Sequence, residues 1–260
     1  MTSSPQDPLL ARAAAWLAEA QSLFVLTGAG VSRESGIPTF REARKGLWAR
    51  FDPEQLASRA GFDADPALVW RWYRWRKARV RAASPNPAHH AIAALERRVA
   101  DFTLATQNVD GLHRRAGSRA PLELHGSLDR VRCERCGQRL PWEEVPEDLA
   151  VPRCACGGRL RPDVVWFHEP LDTETLAQAL AAATRAELCL AVGTSGVVQP
   201  AASLPLVAKR AGARLLVIDP GDTVLGPLAD LWLRERAGRC LPALAPRLSG
   251  APGRPRRALG

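Results

Sequence analysis

The amino-acid sequence predicts an α/β fold, with a Rossmann-like parallel sheet and a small inserted domain. Predicted strands alternate with predicted helices along most of the chain, which is typical of a doubly wound parallel sheet. A Gly-Ala-Gly turn at Gly28 ends the first strand. The segment from Asp129 to Arg159 interrupts the alternation, because it is rich in Cys, Arg, Gly and Pro and has few long apolar runs.

The strands are predicted from short apolar runs between turn residues, and two of the helices from Asp-Pro or Asn-Pro pairs that provide an N-cap and a first-turn proline. The predicted strands are Ser22–Thr27, Phe102–Thr106, Leu122–Leu124, Asp163–Phe167, Glu187–Val192 and Arg214–Ile218. The predicted helices are Asp7 to about Ala20, Pro66 to about Arg81, one after Asn86-Pro87, Thr173–Arg185 and Gln199–Ala211.

Composition narrows the class of protein. The chain has 260 residues, of which 46% are hydrophobic, enough for one large domain or a large domain with a small insert. Apolar runs such as Leu188–Val192 are too short to cross a membrane, and the N-terminus lacks the pattern of a secretory signal. We therefore expect a cytoplasmic protein without a membrane partner.

The net charge of +9 admits two interpretations. It could indicate affinity for nucleic acid or acidic substrates. However, the 36 basic residues include only three lysines, so a general preference for Arg explains most of the excess. Nucleic acid is therefore not an expected partner.

Four of the six cysteines lie in two close pairs, which predicts a metal site. Cys133 and Cys136 are spaced Cys-x2-Cys, and Cys154 and Cys156 are spaced Cys-x-Cys. Four thiolates satisfy tetrahedral zinc and leave no open position, which is typical of a structural site. The spacing leaves open an iron–sulfur cluster or a nucleic-acid-binding ribbon.

Polar residues follow several predicted strands, at the edge of the sheet where ligands bind in open α/β folds. The turn at Gly28, Ala29 and Gly30 precedes Ser32, and Gly36-Ile37-Pro38-Thr39-Phe40-Arg41 could close over a cofactor. Amide and carboxylate groups that suit a ribose and a carboxamide follow the second strand. The strand-end residues are Gln107, Asn108, Asp110, His125, Gly193, Thr194, Ser195 and Asp219.

These motifs resemble the sirtuin family in order and identity. The resemblance rests on Gly28-Ala29-Gly30-Val31-Ser32, Gly36-Ile37-Pro38 with Phe40-Arg41, Gln107-Asn108-Val109-Asp110, His125-Gly126 and the four cysteines. It implies an NAD-dependent protein-lysine deacylase with a structural zinc ion. His125 would be the catalytic base, Gln107 and Asn108 would contact the nicotinamide ribose, and Asp110 would bind the carboxamide. His89 and His113 would be structural.

The same resemblance implies further contacts. The loops at Gly28 and Gly193, with Phe40 and Arg41, would bind the cofactor, Asp219 the adenosine ribose and Ala237 the adenine. Val165 and Phe167 would line the acyl-lysine channel. The family commonly has Asp, Gly and Asn where this chain has Thr39, His168 and Asp219.

A phenol and a guanidinium predict the acyl group. Tyr73 and Arg76 are three residues apart, so they share one face of a helix and could bind a carboxylate together. The pair resembles the Tyr-x-x-Arg of the sirtuins that remove succinyl and malonyl groups, although an aromatic core stripe would look similar. A plain deacetylase and a protein ADP-ribosyltransferase remain the alternatives within the fold.

These observations divide the chain into two domains. Residues 1–40, 84–128 and 160–260 are predicted to form the NAD-binding domain. Residues 41–83 and 129–159 are predicted to form the helical and zinc-binding parts of the small domain. The expected partners are acyl-lysine proteins, and a monomer is expected. The rival of another class, a nucleic-acid-binding zinc ribbon, would show salt-dependent binding without NAD turnover.

Overall fold

The computed structural model describes residues 7–38 and 51–244. The strands are β1 (Ser22–Thr27), β2 (Asp101–Thr106), β3 (Leu122–Glu123), β4 (Gly126–Cys133), β5 (Arg139–Pro141), β6 (Leu160–Val164), β7 (Leu188–Val192), β8 (Arg214–Ile218) and β9 (Leu231–Leu233). The helices are α1 (Asp7–Glu19), α2 (Pro53–Ala57), α3 (Arg59–Ala64), α4 (Pro66–Ala82), α5 (Pro87–Glu96), α6 (Leu112–Arg115), α7 (Thr173–Arg185), α8 (Leu204–Arg210) and α9 (Ala237–Leu244).

Six parallel strands form the large sheet in the order β3-β2-β1-β7-β8-β9. Alternate residues of β1 face opposite sides, as strand geometry requires. Leu23 and Val25 belong to one apolar core with α1, α5 and α9, whereas Phe24 and Leu26 belong to the other with α7 and α8. This confirms the predicted Rossmann-like sheet, with the strand order reversing between β1 and β7.

The small module joins an antiparallel sheet, in the order β5-β4-β6, to helices α2–α4. Its core is aromatic: the Trp70 and Trp142 ring centroids lie 5.3 Å apart, and the Trp70 indole donates to the Leu160 carbonyl at 3.0 Å. The helical segment and the cysteine-rich segment thus share one core. The exact boundaries between the two domains remain a prediction.

Two predicted elements differ from the structure. The strand predicted over Asp163–Phe167 instead spans Leu160–Val164 and pairs antiparallel with β4, outside the large sheet. The helix predicted over Gln199–Ala211 is a 3₁₀ turn at Ala201–Ser203 followed by α8, whose first turn contains Pro205. Proline cannot donate a backbone hydrogen bond, so it favours a helix start at this point.

Among the described residues, no helix combines the length and apolarity that a membrane crossing requires.

Candidate active site and zinc site

Two glycine loops meet at the carboxyl edge of the sheet, where the strand order reverses. The amide of Gly30 donates to the carbonyl of Gly193 at 2.8 Å, and that of Gly28 to Val192 at 3.0 Å. A Cβ atom on Gly30 would lie only 2.7 Å from Cα of Gly193. The glycines therefore allow the loops after β1 and β7 to touch, at the edge where ligands bind in such sheets.

A buried hydrogen-bond chain lies beside these loops. The Asn108 amide donates to the Gly28 carbonyl and to Ser32 Oγ, each at 3.1 Å. Ser32 in turn donates to Asp110 Oδ2 at 2.7 Å, and the Leu112 amide donates to Oδ1 at 3.0 Å. Burial raises the pKa of Asp110 above its usual range, although these two hydrogen bonds oppose the shift. This series of hydrogen bonds fixes the side chains before any ligand arrives.

The imidazole of His125 is oriented by the backbone. Its Nδ1 lies 3.0 Å from the carbonyl oxygen of Gln107, which can only accept, so Nδ1 carries the proton and Nε2 has a free lone pair. Burial lowers the pKa of His125, while the hydrogen bond to Gln107 opposes the shift. The Gln107 side chain donates to Thr194 Oγ1 at 2.9 Å, which links the loops after β2 and β7. A neutral imidazole of this kind can act as a general base.

One cavity of about 290 Å³ brings most of these residues together. His125 lines it with Ala29 and Ser32 of the glycine loop region, and with the apolar side chains of the segment after β6. Among the predicted site residues, the cavity is lined by Ala29, Ser32, Tyr73, Arg76, Gln107, Asn108, Asp110, His125, Val165 and Phe167. Five separate segments of sequence thus converge on one cavity.

Tyr73 and Arg76 enter this cavity from helix α4. Tyr73 is 2% exposed, and its hydroxyl accepts a hydrogen bond from the Trp166 indole at 3.0 Å. The Arg76 guanidinium carbon lies 5.9 Å from the centroid of the Tyr73 ring. Burial lowers the pKa of Arg76, while Tyr73 and Asp110 oppose the shift. A half-buried guanidinium beside a phenol suits an anionic group.

The four paired cysteines converge as the sequence predicts. All four sulfur atoms lie within 4.8 Å of one another, with Cys133 to Cys156 at 3.5 Å and Cys136 to Cys154 at 3.8 Å. Zinc bound to thiolates at about 2.3 Å would hold its ligands about 3.8 Å apart in a tetrahedron. The donor set and its spacing therefore fit a zinc ion with four protein ligands.

A family model described as "Sir2 family" matches residues 28–200, which is more than half of the chain. The chain belongs to the Sir2 family. Relatives of this Sir2 protein include the "NAD-dependent protein deacylase" of Aeropyrum pernix, 52% identical over 91% of this chain and 95% of the relative. The "NAD-dependent protein deacylase 1" of Pseudomonas aeruginosa is also 52% identical, over 88% of this chain and 94% of that protein.

Solved Sir2 structures have the same fold. A "Sir2 homolog-NAD complex" superposes with a TM-score of 0.88 at 46% identity and covers 96% of each chain. A structure described as "Sir2 bound to acetylated peptide" has a TM-score of 0.81 at 32% identity and covers 89% of this chain and 95% of that one.

The other described residues predicted to bind the cofactor do not line the cavity. Thr194 is buried, Ser195 is exposed, and the Asp219 carboxylate accepts from the Gly221 amide at 2.8 Å. Ala237 begins α9 and packs into a core of the large domain, so only its backbone could reach a ligand. Phe40 and Arg41 lie outside the described residues. So does Thr39, where the family commonly has Asp. The ligand-binding roles of all these residues stay predictions.

Three residues near the cavity carry no site prediction from the sequence. Trp166 contacts Tyr73, and Arg161 and Glu169 both contact Trp166. Arg161 is 1% exposed. The sequence does not indicate this burial, because Arg is normally a surface residue. The only sequence signal was an Arg at the start of an apolar strand.

Proposed function

We propose that this protein is an NAD-dependent protein-lysine deacylase that prefers succinyl or malonyl groups. The names of its Sir2 relatives support the deacylase activity. The observation that carries the acyl preference is that Tyr73 and Arg76 line the same cavity as His125.

NAD supplies an electrophilic ribose carbon that accepts the acyl oxygen and releases nicotinamide. The chain fits this cofactor because directed hydrogen-bonding groups converge at the switch point of the sheet. Gln107 and Asn108 would contact the nicotinamide ribose and Asp110 the carboxamide. The other residues proposed to hold the cofactor are Gly28, Ala29, Gly30, Ser32, Phe40, Arg41, Gly193, Thr194, Ser195, Asp219 and Ala237.

His125 would accept a proton from a ribose hydroxyl at Nε2. The Gln107 carbonyl holds Nδ1 protonated, so the free lone pair is available without prior deprotonation. The lowered pKa keeps the ring neutral at physiological pH. Val165 and Phe167 would surround the lysine stem with apolar surface and exclude water from the reacting atoms.

Tyr73 and Arg76 would bind the distal carboxylate of a succinyl or malonyl group. Arg76 offers a planar pair of N–H groups that match a carboxylate, and Tyr73 offers one O–H. An acetyl group lacks this carboxylate and would offer neither donor an ionised acceptor. A plain deacetylase remains the alternative, since acetyl-lysine also fits an apolar channel.

Zinc would be structural. Cys133, Cys136, Cys154 and Cys156 would occupy all four tetrahedral positions, so no position remains for substrate or water. The ion would stabilise the small antiparallel sheet without entering the chemistry. We further propose that the protein is a cytoplasmic monomer that acts on acyl-lysine proteins and has no nucleic-acid partner.

Nicotinamide release from a succinyl-lysine and an acetyl-lysine peptide of one sequence tests the proposal. Arg76→Met removes the charge but keeps the length of the side chain. It should lower the ratio of succinyl to acetyl kcat/KM roughly 30-fold or more, since a charge-assisted hydrogen bond contributes about 2 kcal/mol. Arg71→Met, an exposed site on the same helix, is the matched control and should leave the ratio unchanged.

His125→Ala separates the activity from its specificity. It should abolish release from both peptides while the circular dichroism spectrum persists. Near-normal turnover would rule out His125 as the base. Equal losses on both peptides in Arg76→Met would rule out the carboxylate preference and favour the deacetylase.

A further inference from the structure

The hydroxyl of Tyr73 is held in a defined orientation by its neighbours. The Trp166 indole nitrogen lies 3.0 Å from the Tyr73 oxygen, and both side chains are 2% exposed. The indole N–H only donates, so the Tyr73 oxygen is the acceptor and one of its lone pairs is occupied. The phenol proton must therefore point away from Trp166.

The other close neighbour of Tyr73 cannot accept that proton either. Arg76 carries only donors, and it flanks the phenol ring on the same face of α4. In the part of the chain that the structure describes, the two residues that hydrogen-bond to the phenol, Trp166 and Arg76, are thus both donors, and Glu169 acts on it only through its charge. The hydroxyl, which lines the cavity, needs an acceptor from the ligand, and a carboxylate is acceptor-only.

A buried arginine and a partly buried glutamate hold Trp166 in place. The Arg161 guanidinium carbon lies 3.2 Å from the centroid of the Trp166 ring, and Arg161 forms a two-pronged ion pair with Glu169. Glu169 also accepts from the Trp166 backbone amide at 3.0 Å. Arg161 donates in addition to the Val164 carbonyl at 2.8 Å, so the guanidinium is fixed from three directions. The indole cannot rotate without breaking this arrangement.

We infer that Trp166, held by Arg161 and Glu169, is a specificity-determining positioning residue that turns the Tyr73 hydroxyl toward the acyl carboxylate. This inference rests on the proposed preference for dicarboxylic acyl groups. It assigns to the small module a role in choosing the acyl group, because Arg161 lies in β6. The Trp166 indole N–H donates to Tyr73, so Trp166 would act on the acyl group through the phenol.

Trp166→Phe tests this, because it keeps an aromatic ring and removes the N–H. The ratio of succinyl to acetyl kcat/KM should fall roughly five- to tenfold, through KM for the succinyl peptide, because the oriented hydrogen bond to a charged group is lost. Tyr73→Phe should lower the ratio by a similar factor. In the double variant the two effects should not add, since no hydroxyl remains to be oriented.

Tyr73 is the single tyrosine of the chain, which gives a spectroscopic readout independent of turnover. Tyrosine labelled with carbon-13 at Cζ yields one signal. Burial raises the pKa of Tyr73, and the Trp166 hydrogen bond opposes this shift. Trp166→Phe removes that hydrogen bond and should therefore raise the pKa of Tyr73 further. If Trp166→Phe does not fold, Glu169→Gln loosens the support of the indole and should lower the same ratio by a smaller factor.

The outcomes separate the two proposals. If Tyr73→Phe and Arg76→Met both leave the ratio unchanged, the proposed acyl preference fails. If Tyr73→Phe lowers the ratio but a folded Trp166→Phe does not, or if their effects add, only the role of Trp166 is refuted. A purely structural tryptophan would lower both activities equally and leave the ratio intact.

Discussion

Two buried histidines beneath the polar cluster make stability depend on pH. His89 and His113 are 0% and 2% exposed, and their ring centroids lie 4.8 Å apart. His113 Nε2 lies 2.9 Å from Thr27 Oγ1, and the Asn86 amide donates to His89 Nδ1 at 3.2 Å. Burial lowers the pKa of His89 to about 4 and that of His113 to about 3.

The sign follows from proton binding. Both pKa values are lower in the folded protein than the ordinary value of 6.5, so below pH 6.5 the unfolded chain binds protons that the folded chain does not. The free energy of unfolding therefore falls as the pH falls. Between pH 6 and pH 5 each histidine should remove about 1 kcal/mol, and the pair about 2 kcal/mol.

Urea unfolding of zinc-loaded protein at the two pH values measures this loss. His113→Gln is the matched control, because its amide can replace Nε2 beside Thr27 but does not titrate. The other titrating groups are the same in both proteins, so the pH-dependent loss in the variant should be about 1 kcal/mol smaller. If wild type and variant lose the same free energy between pH 6 and pH 5, His113 is not buried in its neutral form.

Two further predictions concern the metal and the loop after β6. Chelation of zinc should expose four fast-reacting thiols. Cys189 and Cys240 should stay protected, because both are buried in the large domain. Reaction of all six thiols at once would mean that the metal supports the whole fold. His168 has a φ of 66°, a left-handed conformation that costs a residue with Cβ roughly 1 kcal/mol. His168→Gly should therefore be about 1 kcal/mol more stable than His168→Ala in urea unfolding, and equal stability of the two would contradict the left-handed backbone.

Most of the large domain could be predicted from local sequence. Strand β1 is an apolar run that ends at glycine, and α7 begins at an Asp cap and ends as its amphipathic pattern ends, so both match their predicted bounds. Strands β4, β5 and β9 were missed. Strand β4 carries charges at Asp129, which pairs with Lys77 of α4, and at Arg130, which pairs with Asp163 of β6 and with Glu123, so its hydrophobic pattern is too weak to detect.

The position of a residue in the cavity could be predicted where a polar residue follows the end of a strand, as Asn108 and His125 do. The structure adds a reason for two of the glycines that the sequence motifs contain. A Cβ on Gly126 would lie 2.1 Å from the Asp163 carbonyl, so this glycine is required by the approach of β6. Gly30 is likewise required by the Gly193 loop. Such contacts join segments far apart in sequence, and no local pattern records them.

The register of two strands connects the cysteine cluster to the proposed acyl pocket. Cys133, the last residue of β4, pairs with Leu160, the first residue of β6, so the metal fixes where β6 begins. Arg161 follows Leu160 directly and supports Trp166 beyond the end of the strand. A slip of one residue would turn Arg161 to the opposite face of the sheet and remove its contact with Trp166. A structural metal with no open coordination position can therefore influence which acyl group is bound, by holding one strand in register.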